Sequence, residues 1–182
     1  MRRVDVMYRL DRLVEMPRVV PALVVFVSAG ALGSALASEI WGGLQPCILC
    51  YYQRYAYWAA IGIGLAGLAF AGRPRIRRSL VALAGLAFLA GAAIAAFHVG
   101  VEQHWWRGTA ACHAPTFDPD LSIEEMRERL LNQPLVTCDT IPWSLFGISM
   151  AGYNVLASLA FAAACFWSLW RSRRTVADGR KT

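Results

Sequence analysis

Two cysteines three positions apart, Cys47 and Cys50 in the run QPCILC, are the residues of this chain best suited to chemistry. A thiol reacts as its thiolate, and a C-x-x-C pair can trade two electrons with another sulfur pair. Pro46 suits the first position of a helix, which would put both cysteines in the opening turn. Cys47, Cys50 and Arg54 then share one helix face at i, i+3 and i+7. The helix N-terminus and the Arg54 cation both favour a thiolate there. A plain structural disulfide or a metal site is the alternative for the pair, and snorkelling to the head groups is the alternative for Arg54. Cys50 is followed by Tyr51, so the C-x-x-C-H haem attachment is excluded. A zinc site could draw on Cys47, Cys50, Cys112, Cys138, His104 and His113, but the last two cysteines do not form a second C-x-x-C. His98, His104 and His113 read as structural groups.

The elements that must position these thiols are membrane helices. Of 182 residues 57% are hydrophobic and 16% charged, with a mean hydropathy of +0.43; a soluble domain is nearer 45–50% apolar and 25% charged. That balance excludes a disordered chain and argues against an ordinary soluble enzyme. Four runs, at about 19–37, 51–71, 80–99 and 145–170, approach the 20 residues a bilayer requires. They are rich in Gly and Ala, as closely packed membrane helices are. The expected fold is an all-α, antiparallel four-helix transmembrane bundle, a single membrane domain over 1–182.

The basic residues set its orientation. Of the 18, 14 fall in three clusters: Arg2, Arg3, Arg9, Arg12 and Arg18; Arg73, Arg75, Arg77 and Arg78; and Arg171, Arg173, Arg174, Arg180 and Lys181. Both termini are therefore expected in the cytoplasm, with outer loops at 38–50 and 100–143. Topology accounts for the basic runs, so no nucleic-acid partner is expected. The small residues Ala35 and Ala37 resemble a signal-peptidase site, but the apolar run before them is longer than a signal core. In the second outer loop, LSIEEMRERLL reads as a short amphipathic helix. Ser122 and Glu125 would form a capping box, Leu121 would staple against Met126, and Ile123, Met126 and Leu130 would share a face. The aromatics Tyr51, Tyr52, Tyr55, Tyr57, Trp58, Trp105, Trp106 and Trp143 gather near the outer interface as a belt.

With this orientation Cys47, Cys50, Cys112 and Cys138 all lie on the outer, oxidising side, where disulfides persist. Four cysteines allow three pairings, and the sequence does not choose among them. Cys165, deep in the fourth run, reads as a small buried apolar side chain. Exchange only moves electrons between sulfur pairs, so a chain that makes new disulfides needs a further acceptor. No flavin or dinucleotide fingerprint is present. A lipid-soluble quinone beside Cys50 and Arg54 is the simplest choice.

The runs PCILCYYQR and CDTIPWSLFGISMAGYN, four apolar segments and a paired-cysteine second outer loop together resemble the bacterial disulfide bond formation protein DsbB family, over about residues 19–170. That resemblance implies a protein of the bacterial inner membrane. It implies that Cys47 and Cys50 form the first redox pair, with Cys50 and Arg54 at a site for ubiquinone or menaquinone. It implies that Cys112 forms the mixed disulfide with a periplasmic, DsbA-like thioredoxin-fold partner, and that Cys138 pairs transiently with Cys47. It carries over no role for a loop histidine. A vitamin K epoxide reductase-like protein is a second enzyme reading, although there the C-x-x-C lies in the last helix of the bundle. A membrane metal-binding protein is a reading from another class. Cys112 is expected to be reachable, because RGTAACHAPTFDP is rich in small residues and proline.

Overall fold

The computed structural model describes residues 16–112, 122–132 and 136–178. Four long helices run through them: α1 (Val19–Ile40), α2 (Ile48–Ala69), α3 (Pro74–Glu102) and, after a shorter α4 (Ile123–Asn132), α5 (Met150–Asp178). Proline opens α3, where a missing N–H costs nothing and a fixed φ helps. Helix α1 packs on α2, α2 on α3 and α3 on α5, whereas α1 and α5 scarcely touch. Small residues bring the backbones together: a Cβ on Gly64 would lie 2.8 Å from Val25 Cγ2 and 3.1 Å from the Pro21 carbonyl oxygen. The inner half of the bundle is closed by Phe88, set between Tyr57 at 6.1 Å and Phe161 at 5.4 Å, over Val24, Ala60, Ala162 and Cys165.

Among the described residues, three helices are long and apolar enough to cross a membrane: Val19–Ile40, Pro74–Glu102 and Met150–Arg173. Large apolar side chains such as Phe26, Leu65, Leu86 and Leu156 point outward from the helices. A face of that kind suits lipid rather than water, and the chain is a multi-pass membrane protein. Helix α2 is as long as α1 but less apolar, because Tyr51, Tyr52, Gln53, Arg54 and Tyr55 fill its outer turns.

Residues 145–149, read in the sequence as the start of the fourth run, are not helical. Ser144–Leu145 and Ile148–Ser149 pair antiparallel, Leu145 opposite Ile148. Phe146 (φ 51°) and Gly147 (φ 77°) make the tight turn between them. The protein is mostly helical, as an all-α membrane protein is, with one short hairpin before the N-terminal end of α5. In α4 the capping box is formed: the Ser122 N–H donates to Glu125 Oε2 at 3.1 Å, and the Glu125 N–H to Ser122 Oγ at 3.3 Å. The staple from Leu121 to Met126 and the face through Leu130 lie outside what is described, as do His113 and the basic residues at 2–12 and 180–181.

Candidate active site

Cys47 is the N-cap of α2, with extended backbone (φ −77°, ψ 173°), and the helix starts at Ile48. Pro46 therefore precedes the cap instead of occupying the first helical position; it steers the chain into the helix without being part of it. Cys47 and Cys50 are both free thiols with Sγ atoms 3.2 Å apart. Cys47 is buried at 3% exposure. From α3, His98 brings Nε2 to 3.5 Å of the Cys47 sulfur. The Cys47 thiol is held well below the ordinary thiol range, first by the hydrogen bond it accepts from Cys50 and then, against burial, by His98.

Behind His98 stands a chain of polar groups, buried at Gln53, Tyr57 and Ser158 and half-buried at Asn154. The Gln53 Nε2 group donates to His98 Nδ1 at 2.9 Å. The Asn154 amide group donates to Gln53 Oε1. Asn154 Oδ1 accepts from Tyr57 Oη at 2.5 Å and from Ser158 Oγ at 3.2 Å. Glu102, one turn beyond His98, approaches its Nε2 at 3.9 Å and accepts from Ser149 Oγ at 2.5 Å. Arg54 lies on the same face of α2 as the cysteines. It donates to Glu39 Oε2 at 2.6 Å and stacks over the Tyr51 ring at 5.3 Å. The Arg54 charge is also met by a carboxylate on α1, and the group hydrogen-bonded to Cys47 is His98. Snorkelling to the head groups does not describe Arg54, since its side chain is only 14% exposed.

Cys112 and Cys138 are joined as a disulfide, with Cα atoms 5.0 Å apart. Cys112 ends a short 3-10 turn, Ala110–Cys112, and the Cys138 N–H donates to the Cys112 carbonyl at 3.1 Å. The expectation of a reachable Cys112 fails: it is 1% exposed and Cys138 is 0% exposed. Small residues are the reason. They let the turn lie flat against Val101, in one apolar cluster with Cys47 and Leu49, rather than hold it away from the surface. The two sulfur pairs are thus packed into the same buried cluster, although sequence separates them widely. Cys165 is buried in the other cluster, far along α5 from both.

A cavity of about 540 Å³ begins at Cys47 and Cys50 and runs inward past Arg54 and Tyr57 to Val27 and Phe161. Its outer end is polar, and most of its inner wall is apolar. It is lined by α1, α2 and α5, of which α1 and α5 scarcely touch, and by the segments 44–46 and 136–145. Cys47 Sγ, Cys50 Sγ and an imidazole nitrogen of His98 lie within 4.8 Å of one another, a set that could also hold a cation.

Sequence reasoning found the thiols and Arg54 but missed Glu39, Gln53, His98, Glu102 and Asn154 as site residues, and it placed Tyr57 in the interface belt. A signal was present. Gln53 with Tyr57, His98 with Glu102, and Asn154 with Ser158 are polar residues four apart on apolar helices, where each must find a partner.

A multi-pass membrane protein with a poised thiol pair, a nearby disulfide and a largely apolar cavity beside them is a membrane thiol–disulfide redox protein in architecture. The chain belongs to the family of disulfide bond formation protein DsbB, whose family model matches residues 17–168. Disulfide bond formation protein B of Stutzerimonas stutzeri (strain A1501) is 32% identical over 166 residues, covering 85% of this chain and 96% of that protein. Its counterpart in Acinetobacter baumannii is 29% identical over 163 residues, covering 85% and 91%. That of Nitrosomonas europaea is 30% identical over 171 residues, covering 86% and 94%. No solved structure gives a significant match. The family makes this a membrane protein of disulfide bond formation, with disulfide oxidoreductase activity.

Proposed function

We propose that the chain is a thiol:quinone oxidoreductase that reoxidises a DsbA-like, thioredoxin-fold dithiol oxidase in the periplasm. In this reading α2 is a fourth span, both termini are cytoplasmic, and both sulfur pairs face the periplasmic side of the inner membrane. One observation carries it: the cavity that joins Cys50 and Arg54 to an apolar inner wall. A flat, lipid-soluble quinone ring with a polar carbonyl edge fits such a site. Arg54 would donate to that edge, and Val27 and Phe161 would line the ring and its tail.

The chain's own steps balance as exchanges. A partner thiolate bonds to Cys112 and Cys138 leaves as a thiolate; the partner's second thiol then displaces Cys112, so the partner departs oxidised and the loop pair stays reduced. Cys138 next attacks Cys47 of a Cys47–Cys50 disulfide, and Cys112 resolves the bond, restoring the loop disulfide and leaving the first pair as a dithiol. His98 steadies Cys47 while it is a thiolate. Cys50, the less buried of the two thiols on the cavity wall, is the exit for two electrons and two protons. Quinone, when bound, is the two-electron acceptor there. Because Cys112 is covered in the described conformation, the partner must lift the Ala110–Cys112 turn to reach it.

The test is whether purified protein reduces a soluble quinone when given a reduced thioredoxin-like dithiol. Turnover that depends on all four cysteines supports the reading, and its absence refutes it. The cluster of Cys47, Cys50 and His98 favours a second reading, a thiolate metal site; stoichiometric zinc in purified protein, with no turnover, would select it.

A further inference from the structure

The amides and hydroxyls behind His98 form a chain in which every group donates in the same direction. Tyr57 and Ser158 donate to Asn154 Oδ1, Asn154 Nδ2 donates to Gln53 Oε1, and Gln53 Nε2 donates to His98 Nδ1. A primary amide has its acceptor at one end and its donors at the other, so fixing one end fixes the other. With the Asn154 oxygen toward two hydroxyls, its donors face Gln53. A hydroxyl accepts as well as donates, so the direction is set from the other end, where His98 Nε2 faces two acceptors, the Cys47 sulfur and the Glu102 carboxylate. That turns the Gln53 donors toward His98, and an imidazole nitrogen that accepts cannot carry the proton. The proton is then on Nε2, the nitrogen 3.5 Å from Cys47 Sγ. Rotating Gln53 alone would set donor against donor at Asn154. It would also set an acceptor against a lone pair at Nδ1.

We infer that Asn154, on α5, is a positioning residue for Cys47: through Gln53 it locks His98 in the tautomer whose Nε2–H points at the sulfur. Neither Asn154 nor Gln53 touches the Cys47 sulfur, and each acts through its neighbour. The inference deepens the proposed function, since it rests on Cys47 being an exchanging thiol. It also explains why Tyr57, an aromatic from the outer end of an otherwise belt-like run, is turned inward: its hydroxyl starts the chain. The same lock disfavours a metal on this imidazole, because Nε2 would have to lose its proton to bind one.

The experiment reads the tautomer directly, without quinone or partner, so its failure is distinct from failure of the oxidase reading. The chain carries three histidines. His104→Gln and His113→Gln leave His98 as the single imidazole for nitrogen NMR on labelled protein, with Cys47 and Cys50 reduced and the loop disulfide intact. One species with bare Nδ1 and protonated Nε2 is expected. Asn154→Leu should convert it to a mixture of tautomers and slow iodoacetamide alkylation of Cys47, followed on its own peptide, by about tenfold. Tyr57→Phe should do much less, because Ser158 still holds Oδ1, whereas Tyr57→Phe with Ser158→Ala should approach the Asn154→Leu result. If Asn154→Leu fails to fold, that double variant carries the test. A proton on Nδ1 in the parent, or a single unchanged tautomer in the variants, overturns the inference.

Discussion

The two sulfur pairs share one buried cluster and differ in almost everything else. Cys47 and Cys50 are held by a helix start, three positions apart, and polar groups surround them: the Nε2 of His98, and Arg54 one turn further on. Cys112 and Cys138 are 26 positions apart, bonded to each other, and packed by Val101 and Leu49. The first pair is kept poised by hydrogen bonds that favour a charged sulfur. The second contributes by closing a long loop, worth about 3.5 kcal/mol in the chain-entropy account. Chemistry at a cysteine is therefore set by what donates to it, and stability by what it ties together.

That contrast can be broken most severely at Cys47. Cys47→Ser should lower dithiol-driven quinone reduction by at least about 1000-fold, the scale expected when a covalent nucleophile is lost, with the loop disulfide still formed by mass analysis. Cys138→Ser should act differently: turnover stalls, and a partner left with one reactive cysteine, supplied as its mixed disulfide with a small thiol, should be captured by the free Cys112 thiolate as a covalent adduct while the small thiol leaves. An adduct mapped to Cys47 or Cys50 would reverse the order of the pairs. The same variant should lower stability by roughly 3 kcal/mol, read by denaturant unfolding.

A smaller effect separates binding from exchange. Arg54→Met should raise the quinone KM about 10- to 100-fold, as loss of a charge-assisted hydrogen bond does, while leaving the rate of mixed-disulfide formation with the partner near its parent value. An unchanged KM would mean that Arg54 serves only Glu39. The pairs should also differ with pH. Because the Cys47 thiol lies well below the ordinary range, its alkylation should stay fast as pH falls from 8 to 6, whereas an ordinary thiol slows about tenfold per unit. Parallel slopes for Cys47 and a model thiol would remove the poised state. The smallest effect belongs to Cys165, buried at 3% in the apolar half. Cys165→Ala should cost about 1 kcal/mol of stability and leave turnover unchanged.

Much of the frame was readable because membrane segments announce themselves by length and apolarity, with no need of a partner. The runs at 19–37 and 80–99 fall within α1 and α3, and the Ser122–Glu125 box is where a local rule put it. The start of α5 was misread because 145–149 is apolar enough to continue a helix, yet Phe146 and Gly147 at positive φ turn it into a hairpin. Apolarity is a property of composition and does not record a change of backbone region.

At the site the division is equally clear. Sequence alone determined the C-x-x-C pair, its face shared with Arg54, and the presence of a second pair on the same side of the chain, because those relations are local or follow from counting charges. Only the tertiary structure decided that Cys112 bonds Cys138, that both are covered, and that Glu39 takes the charge of Arg54. It alone brought His98 from α3 and Asn154 from α5 behind Cys47. Such contacts join residues roughly 45 to 100 positions apart, and no periodicity within one helix specifies which polar side chain on another will meet it. The helices are packed by small residues and apolar area, which are not directional; the hydrogen bonds then select one register among the packings those residues allow.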